Sequence, residues 1–273
     1  MLGTKKPIFI VGCTNSGTKC LFFSLMEHED LGGLKRELHF FGIQPNIDGR
    51  LNRLFALYPC FYSNFAHINY VPKSFSTGPM DKTHVEETIS NAKKMFPDEY
   101  VEGNRLLFKD PKLSLRITWI KKLWPDAHII AIVRNPWAVS EGIKRKISIM
   151  GDVPANMDIV TTAAQWNAVN SIILNDSKGI DNFQLIRYED MIAAERYPGK
   201  LDQNCFWSRL LGHLKLKAKS FCIPNRSEFS YFKKDTNLNS INSLTKWEQD
   251  YITTSCKSLI DKFGYTDMLK NNS

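Results

Sequence analysis

The sequence predicts a three-layer α/β fold, a central parallel sheet with helices packed on both faces. Short, largely apolar runs of strand length recur along the chain, among them PIFIV at 7–11 and AHIIAIV at 127–133. Such runs suit strands buried on both faces. Stretches with helical apolar spacing separate them, and strands joined through helices pair in parallel. The 273 residues are enough for one such domain with a sizeable core, so 1–273 reads as a single unit.

Taken in order, residues 7–11 read as a buried strand, VGCTNSG as a polar glycine turn, and CLFFSLMEH as a helix. A second unit starts at Arg105, where LLF leads into KDP, then a helical segment from about 113 to 123, then the AHIIAIV strand. After Val133 comes RNP, with Pro136 placed as the first residue of a helix. Residues 158–177 lack proline and glycine and read as a long helix, followed by FQLIRY as another strand. Residues 42–104 are aromatic-rich and punctuated by Pro45, Pro59, Pro72, Pro79 and Pro97, which predicts an inserted lobe. The polar, turn-rich stretch 221–242 is a candidate lid, and 244–263 a closing helix.

Composition narrows the classes. No stretch approaches the roughly 18 apolar residues of a membrane span, and the N-terminal apolar run ends in a glycine turn, as a strand does and a cleaved leader does not. Six cysteines without a CxxC pair indicate neither a zinc site nor a disulfide framework, which fits reduced thiols in the cytoplasm. A net charge of +8 suits a polyanionic partner or an ordinary solvated surface. No basic-aromatic RNA motif, zinc finger or heptad run is present, so a phosphate-rich small molecule is expected rather than nucleic acid or membrane. No carboxylate or histidine cluster has metal-ligand spacing, and no metal is expected.

The chemistry begins in the first turn. A glycine turn between a buried strand and a helix lets backbone N–H groups converge on an anion at the positive end of the helix. In VGCTNSGTKCL, Gly12 and Gly17 allow close approach, Asn15, Ser16, Thr18 and Cys20 surround it, and Lys19 adds charge. A plain βα turn is the alternative. The nucleoside-triphosphatase loop requires GxxxxGK followed by Ser or Thr, whereas Thr18 precedes Lys19 here. That shift turns the lysine by about a hundred degrees around the helix and makes an ATP-dependent kinase the second reading.

Further along, KRELHFF at 35–41 offers Glu37 as a base beside His39, with a surface ion pair to Lys35 or Arg36 as the alternative. Lys109 ends a strand at the carboxyl edge of the sheet, where open α/β folds bind ligands; a surface pair with Asp110 is its alternative. Arg134 ends another strand just before a proline-started helix, a geometry for holding a phosphate. Tyr188, in RYED, reads either as a stacking surface or as core.

These segments together resemble the sulfotransferase family. FIVGCTNSGTKCLFFSL is similar to its 5′-phosphosulfate loop, KRELHFF to its KE-x-HFF segment, FKDP to its K-x-P element and IVRNPWAVSEG to its RxPxxxxxS motif. The resemblance implies a nucleotide-binding fold of the P-loop type and a sulfuryl donor, 3′-phosphoadenosine 5′-phosphosulfate, that leaves as 3′-phosphoadenosine 5′-phosphate. It implies Glu37 as general base with His39 as its partner, Lys19 and Lys109 near the sulfuryl group, Arg134 at the 3′-phosphate and Tyr188 beside the adenine. Lys233 and Lys234 would cover the 3′-phosphate from the lid.

Three departures stand out: Asn15 where the family has a lysine or arginine, Gly142 where it has a serine, and Gly42 where it often has an aspartate. The first two keep a catalytically silent nucleotide-binding protein as a third reading. The expected acceptor is a small molecule with a hydroxyl or amine. A tailoring role on a specialised metabolite is plausible, a saxitoxin-type alkaloid being one guess.

Overall fold

Four consecutive buried apolar residues make β1 (Ile8–Val11) the middle of the molecule, because a strand with no polar face needs neighbours on both edges and cover on both sides. The computed structural model describes residues 6–35, 82–150, 158–195, 205–217 and 236–269. Within them, β1 lies between β4 (Arg105–Lys109) and β5 (His128–Val133), parallel to both. The sheet continues to β2 (Leu31–Leu34) and β3 (Tyr100–Val101) on one side and to β6 (Phe183–Arg187) on the other, giving the order β3-β2-β4-β1-β5-β6.

Side chains alternate between two cores, as a period of two along a strand dictates. Phe9 and Val11 of β1 and Ile129, Ala131 and Val133 of β5 face one cluster. Ile8, Ile10, Ile130 and Ile132 face the other. The first is closed by α3 (Ile117–Leu123), α4 (Pro136–Met150), α5 (Ile159–Asp176), α9 (Lys246–Ser255) and α10 (Lys257–Lys262), with α2 (Lys82–Met95) contributing Ile89. The second is closed by α1 (Thr18–Met26), α6 (Tyr188–Glu195) and α7 (Phe206–Leu214). These are the expected three layers. The short α8 (Asn237–Asn242) packs against α4.

The structure corrects the expectation in detail. The sheet is mainly but not wholly parallel, because β3 runs antiparallel to β2. β2 itself, LGGL, escapes a reading by apolar runs because half of it is glycine. The end of the 42–104 stretch supplies α2, a 3-10 turn and β3, while residues 42–81 lie outside the described residues. Residues 111–115 form a 3-10 turn before α3, and the closing helix breaks at Cys256 into α9 and α10. Of the candidate lid, 221–235 lies outside the described residues, Lys233 and Lys234 with it, and the remainder is mostly α8.

Among the described residues no helix is long and apolar enough to cross a membrane. The topology fixes where a ligand would sit. From β1 the chain builds β2 and β4 on one side and then crosses to β5 on the other, so a crevice opens between the carboxyl ends of β1 and β5. In open α/β sheets that switch point is the binding position.

Candidate functional site

Two strand-to-helix turns meet at this crevice. The first, residues 12–17, leaves β1 and enters α1. Its start is clamped by Ser114 of the 3-10 turn after β4, whose hydroxyl accepts from Gly12 N at 2.8 Å and donates to Gly12 O at 3.0 Å. Ser16 N closes a tight turn onto Cys13 O at 3.0 Å, with Asn15 in the left-handed region at φ 66°. Asparagine tolerates that conformation better than most residues.

Gly17 enters α1 at φ 94°, and a Cβ there would stand 2.4 Å from the ring of Tyr188. Glycine is therefore required twice over, by conformation and by contact. No side chain caps α1 among the described residues. Thr14 Oγ1, Asn15 Nδ2 and Ser16 Oγ are buried without a hydrogen-bond partner among them. Buried donors without partners cost stability unless a ligand or water meets them, so their concentration in one turn fits an anion held against the helix start.

The second turn, Arg134 to Ala138, leaves β5 and enters α4, and its hydrogen bonds are supplied from within the protein. Asn135 caps the helix, its Oδ1 accepting from Ala138 N at 2.8 Å, and Pro136 takes the first helical position as expected. Trp166 Nε1 donates to Arg134 O at 2.8 Å. The buried Arg134 guanidinium donates to Asn237 Oδ1 at 2.8 Å, Thr236 Oγ1 at 3.0 Å and Asn15 O at 3.2 Å. Its Cζ lies 4.5 Å from the Tyr188 ring centroid. One cation thus touches both turns.

Glu189 organises what surrounds it. Its Oε1 accepts from Asn135 N at 3.1 Å, Asn135 Nδ2 at 2.9 Å and Asn237 Nδ2 at 3.3 Å, and its Oε2 from Tyr265 OH at 2.8 Å. Burial first, then the neighbouring carboxylate, raise the Tyr265 phenol well above its ordinary pKa, so it stays a donor.

The expected site residues fall into four groups. Gly142, Asn15, Arg134, Tyr188 and Gly17 form a chain of contacts, with Ser16 in the same turn and Thr18 at the start of α1; Gly142 meets Asn15, whose Nδ2 would lie 3.1 Å from a Cβ on it. Lys109 stands one strand away, half-buried at the end of β4 and in register with Ile10. Lys19 lies on the exposed side of α1, 5.8 Å from the Phe23 ring centroid, and Cys20 is half-buried behind it. Glu37 and His39 lie outside the described residues.

Ser114, Glu189, Thr236 and Asn237 were missed by sequence reasoning. Only Asn135, the polar residue before Pro136, carried a local signal, that of a helix cap.

Residues 7–196 match the model of the Sulfotransferase family. No curated protein sequence matches. Among solved structures, the chain resembles the sulfotransferase domain of the Synechococcus PCC 7002 olefin synthase at 18% identity and TM-score 0.51, covering 94% of each chain. It resembles the sulfotransferase STF9 from Mycobacterium avium at 14% identity and TM-score 0.54, over 95% of this chain and 77% of that one. A sulfotransferase from Alicyclobacillus acidocaldarius matches at 14% identity and TM-score 0.51, over 94% and 96%. At these identities the structural likeness is one of fold.

Proposed function

Given that the chain belongs to the sulfotransferase family, we propose that it transfers the sulfuryl group of 3′-phosphoadenosine 5′-phosphosulfate to a hydroxyl or amine of a small-molecule acceptor. The observation that carries this reading is the contact between the two turns. Arg134 donates to Asn15 O and lies over Tyr188, which itself packs on Gly17. A cation fixed beside a helix start whose turn holds three buried polar atoms without partners among the described residues suits a ligand with two separate anionic groups. The 5′-phosphosulfate would lie against the first turn and the 3′-phosphate against Arg134.

In the reaction, the acceptor oxygen or nitrogen forms a bond to sulfur. The bond from sulfur to the bridging oxygen breaks, and its electron pair leaves on the 5′-phosphate of 3′-phosphoadenosine 5′-phosphate. Glu37, three residues after the end of β2, takes the acceptor proton with His39 beside it. Lys109 offsets charge that develops on the transferring group, and Lys19 takes the outer side of the same helix start. Such transfers depend mainly on positioning and charge stabilisation. Specialised metabolites belong in the acceptor panel, a guanidinium alkaloid of the saxitoxin type among them.

The test is transfer of labelled sulfate from the donor to a panel of hydroxyl and amine acceptors. Wild-type protein should label at least one, and Glu37→Gln should lower turnover roughly a hundredfold while leaving nucleotide affinity nearly unchanged. Equal turnover in the variant would remove Glu37 from the chemistry. Magnesium-dependent turnover of ATP without sulfate transfer would replace the reading with that of a kinase.

A further inference from the structure

Among the described residues, the Glu189 carboxylate hydrogen-bonds none that the motifs assign to the ligand, yet it takes four hydrogen bonds at the base of the second turn. An ionised carboxylate is acceptor-only, so any amide beside it must present its NH2 group. The Asn237 Nδ2 contact at 3.3 Å therefore turns Asn237 Oδ1 the other way, onto Arg134 Nε at 2.8 Å. Arg134 can only donate, so both ends of this amide agree. The Asn135 Nδ2 contact at 2.9 Å likewise turns Asn135 Oδ1 onto Ala138 N, where it caps α4. One carboxylate sets the polarity of two amides.

We propose that Glu189 is a positioning residue for the anion site, holding Arg134 in its binding orientation through Asn237 and the start of α4 through Asn135. The inference rests on the reading of Arg134 as the 3′-phosphate ligand. It also accounts for the ends of the chain's closing segment reaching the site. Thr236 and Asn237 grip the guanidinium, and Tyr265 donates to the other Glu189 oxygen.

Charge and position make opposite expectations. A carboxylate near a phosphate site repels the ligand, so if Glu189 acted by charge alone its removal would tighten binding. If it acts by orienting amides, removal lets Asn237 turn and Arg134 drift, and binding weakens. Glutamine is the informative substitute, since its carbonyl can keep the contacts of Oε1 while its NH2 faces Tyr265, whose hydroxyl can rotate to accept.

The experiment is calorimetric titration of the full chain with 3′-phosphoadenosine 5′-phosphate and with adenosine 5′-phosphate, reading the ratio of the two affinities. Glu189→Ala should lower that ratio about tenfold, in line with a misplaced charged hydrogen bond, and Glu189→Gln should restore most of it. Asn237→Ala breaks the relay without removing the contacts to Asn135 and Tyr265. It should lower the ratio similarly, and it carries the test if Glu189→Ala does not fold. A ratio that stays at the wild-type value in Asn237→Ala, or rises in Glu189→Ala, overturns the proposal. Arg134→Ala separates the two ideas. If it leaves the ratio unchanged, the reading of Arg134 falls and takes the proposal with it. If Arg134→Ala abolishes the preference while Glu189→Ala and Asn237→Ala keep it, the proposal alone fails.

Discussion

The two turns at the carboxyl edge of the sheet occupy equivalent places, each joining a buried strand to a helix, yet they solve the helix start in opposite ways. The turn after β1 leaves α1 without a side-chain cap and buries Thr14 Oγ1, Asn15 Nδ2 and Ser16 Oγ without partners among the described residues. The turn after β5 caps α4 with Asn135 and spends its arginine on three internal acceptors. The first leaves buried polar atoms that a bound anion would satisfy. The second anchors its arginine on internal acceptors and so offers a cation held in place. A bidentate ligand that binds both would find one group shaped by backbone and hydroxyls and the other by a fixed guanidinium.

Gly17 is where the first turn is most sensitive to change. Alanine there would meet Tyr188 at 2.4 Å and would hold φ 94°, a strain of about 1–3 kcal/mol before the clash is counted. Gly17→Ala should weaken 3′-phosphoadenosine 5′-phosphate binding roughly a hundredfold by calorimetry, the equivalent of about 3 kcal/mol. Wild-type affinity would show that the first turn does not shape the site.

A smaller effect is expected where Asn15 and Gly142, two of the three departures noted in the sequence, meet. Gly142 on α4 faces Asn15 of the first turn, and a Cβ there would lie 3.1 Å from Asn15 Nδ2. Asn15 and Gly142 thus pack directly against each other. Gly142→Ser should lower nucleotide affinity about tenfold, and Asn15→Ala in the same chain should recover part of it, as expected for residues in contact. Strictly additive losses would show the two positions to be independent.

The smallest effect on the turns should come from the other end of β5, which serves as a control. His128 has its pKa pushed down from 6.5 to about 4, by burial first and then by Arg105, His213, Lys215 and Lys121. The unfolded chain takes up a proton below pH 6.5 that the folded chain declines. The stability this group contributes is therefore present above pH 6.5 and lost as the pH falls towards 4, by about 1–3 kcal/mol. His128→Gln should flatten that part of the pH profile of chemical denaturation and leave nucleotide affinity unchanged. A changed affinity would mean that the two ends of the strand are coupled.

What the sequence could reveal follows from what is local. The β1 and β5 runs, the glycine turn, and the arginine and proline after β5 each carry their signal within a dozen residues. The fold and the two turns were accordingly legible. β2 was hidden by its two glycines, and β3 by its length of two residues. Glu189, Thr236 and Asn237 are ordinary polar residues that reach Arg134 and Asn135 from 54 to 103 positions away. Only the closed fold shows that they meet. Tyr188 was read as stacking surface or core, and the structure places it buried between Gly17 and Arg134.

A crystal structure with 3′-phosphoadenosine 5′-phosphate bound would probe the pairing of the turns at atomic level. The 5′-phosphate should lie within hydrogen-bonding distance of Ser16, Thr18 and the first N–H groups of α1, with the 3′-phosphate on Arg134. A nucleotide bound away from the crevice between β1 and β5, or one whose 3′-phosphate is held by other cations, would contradict it.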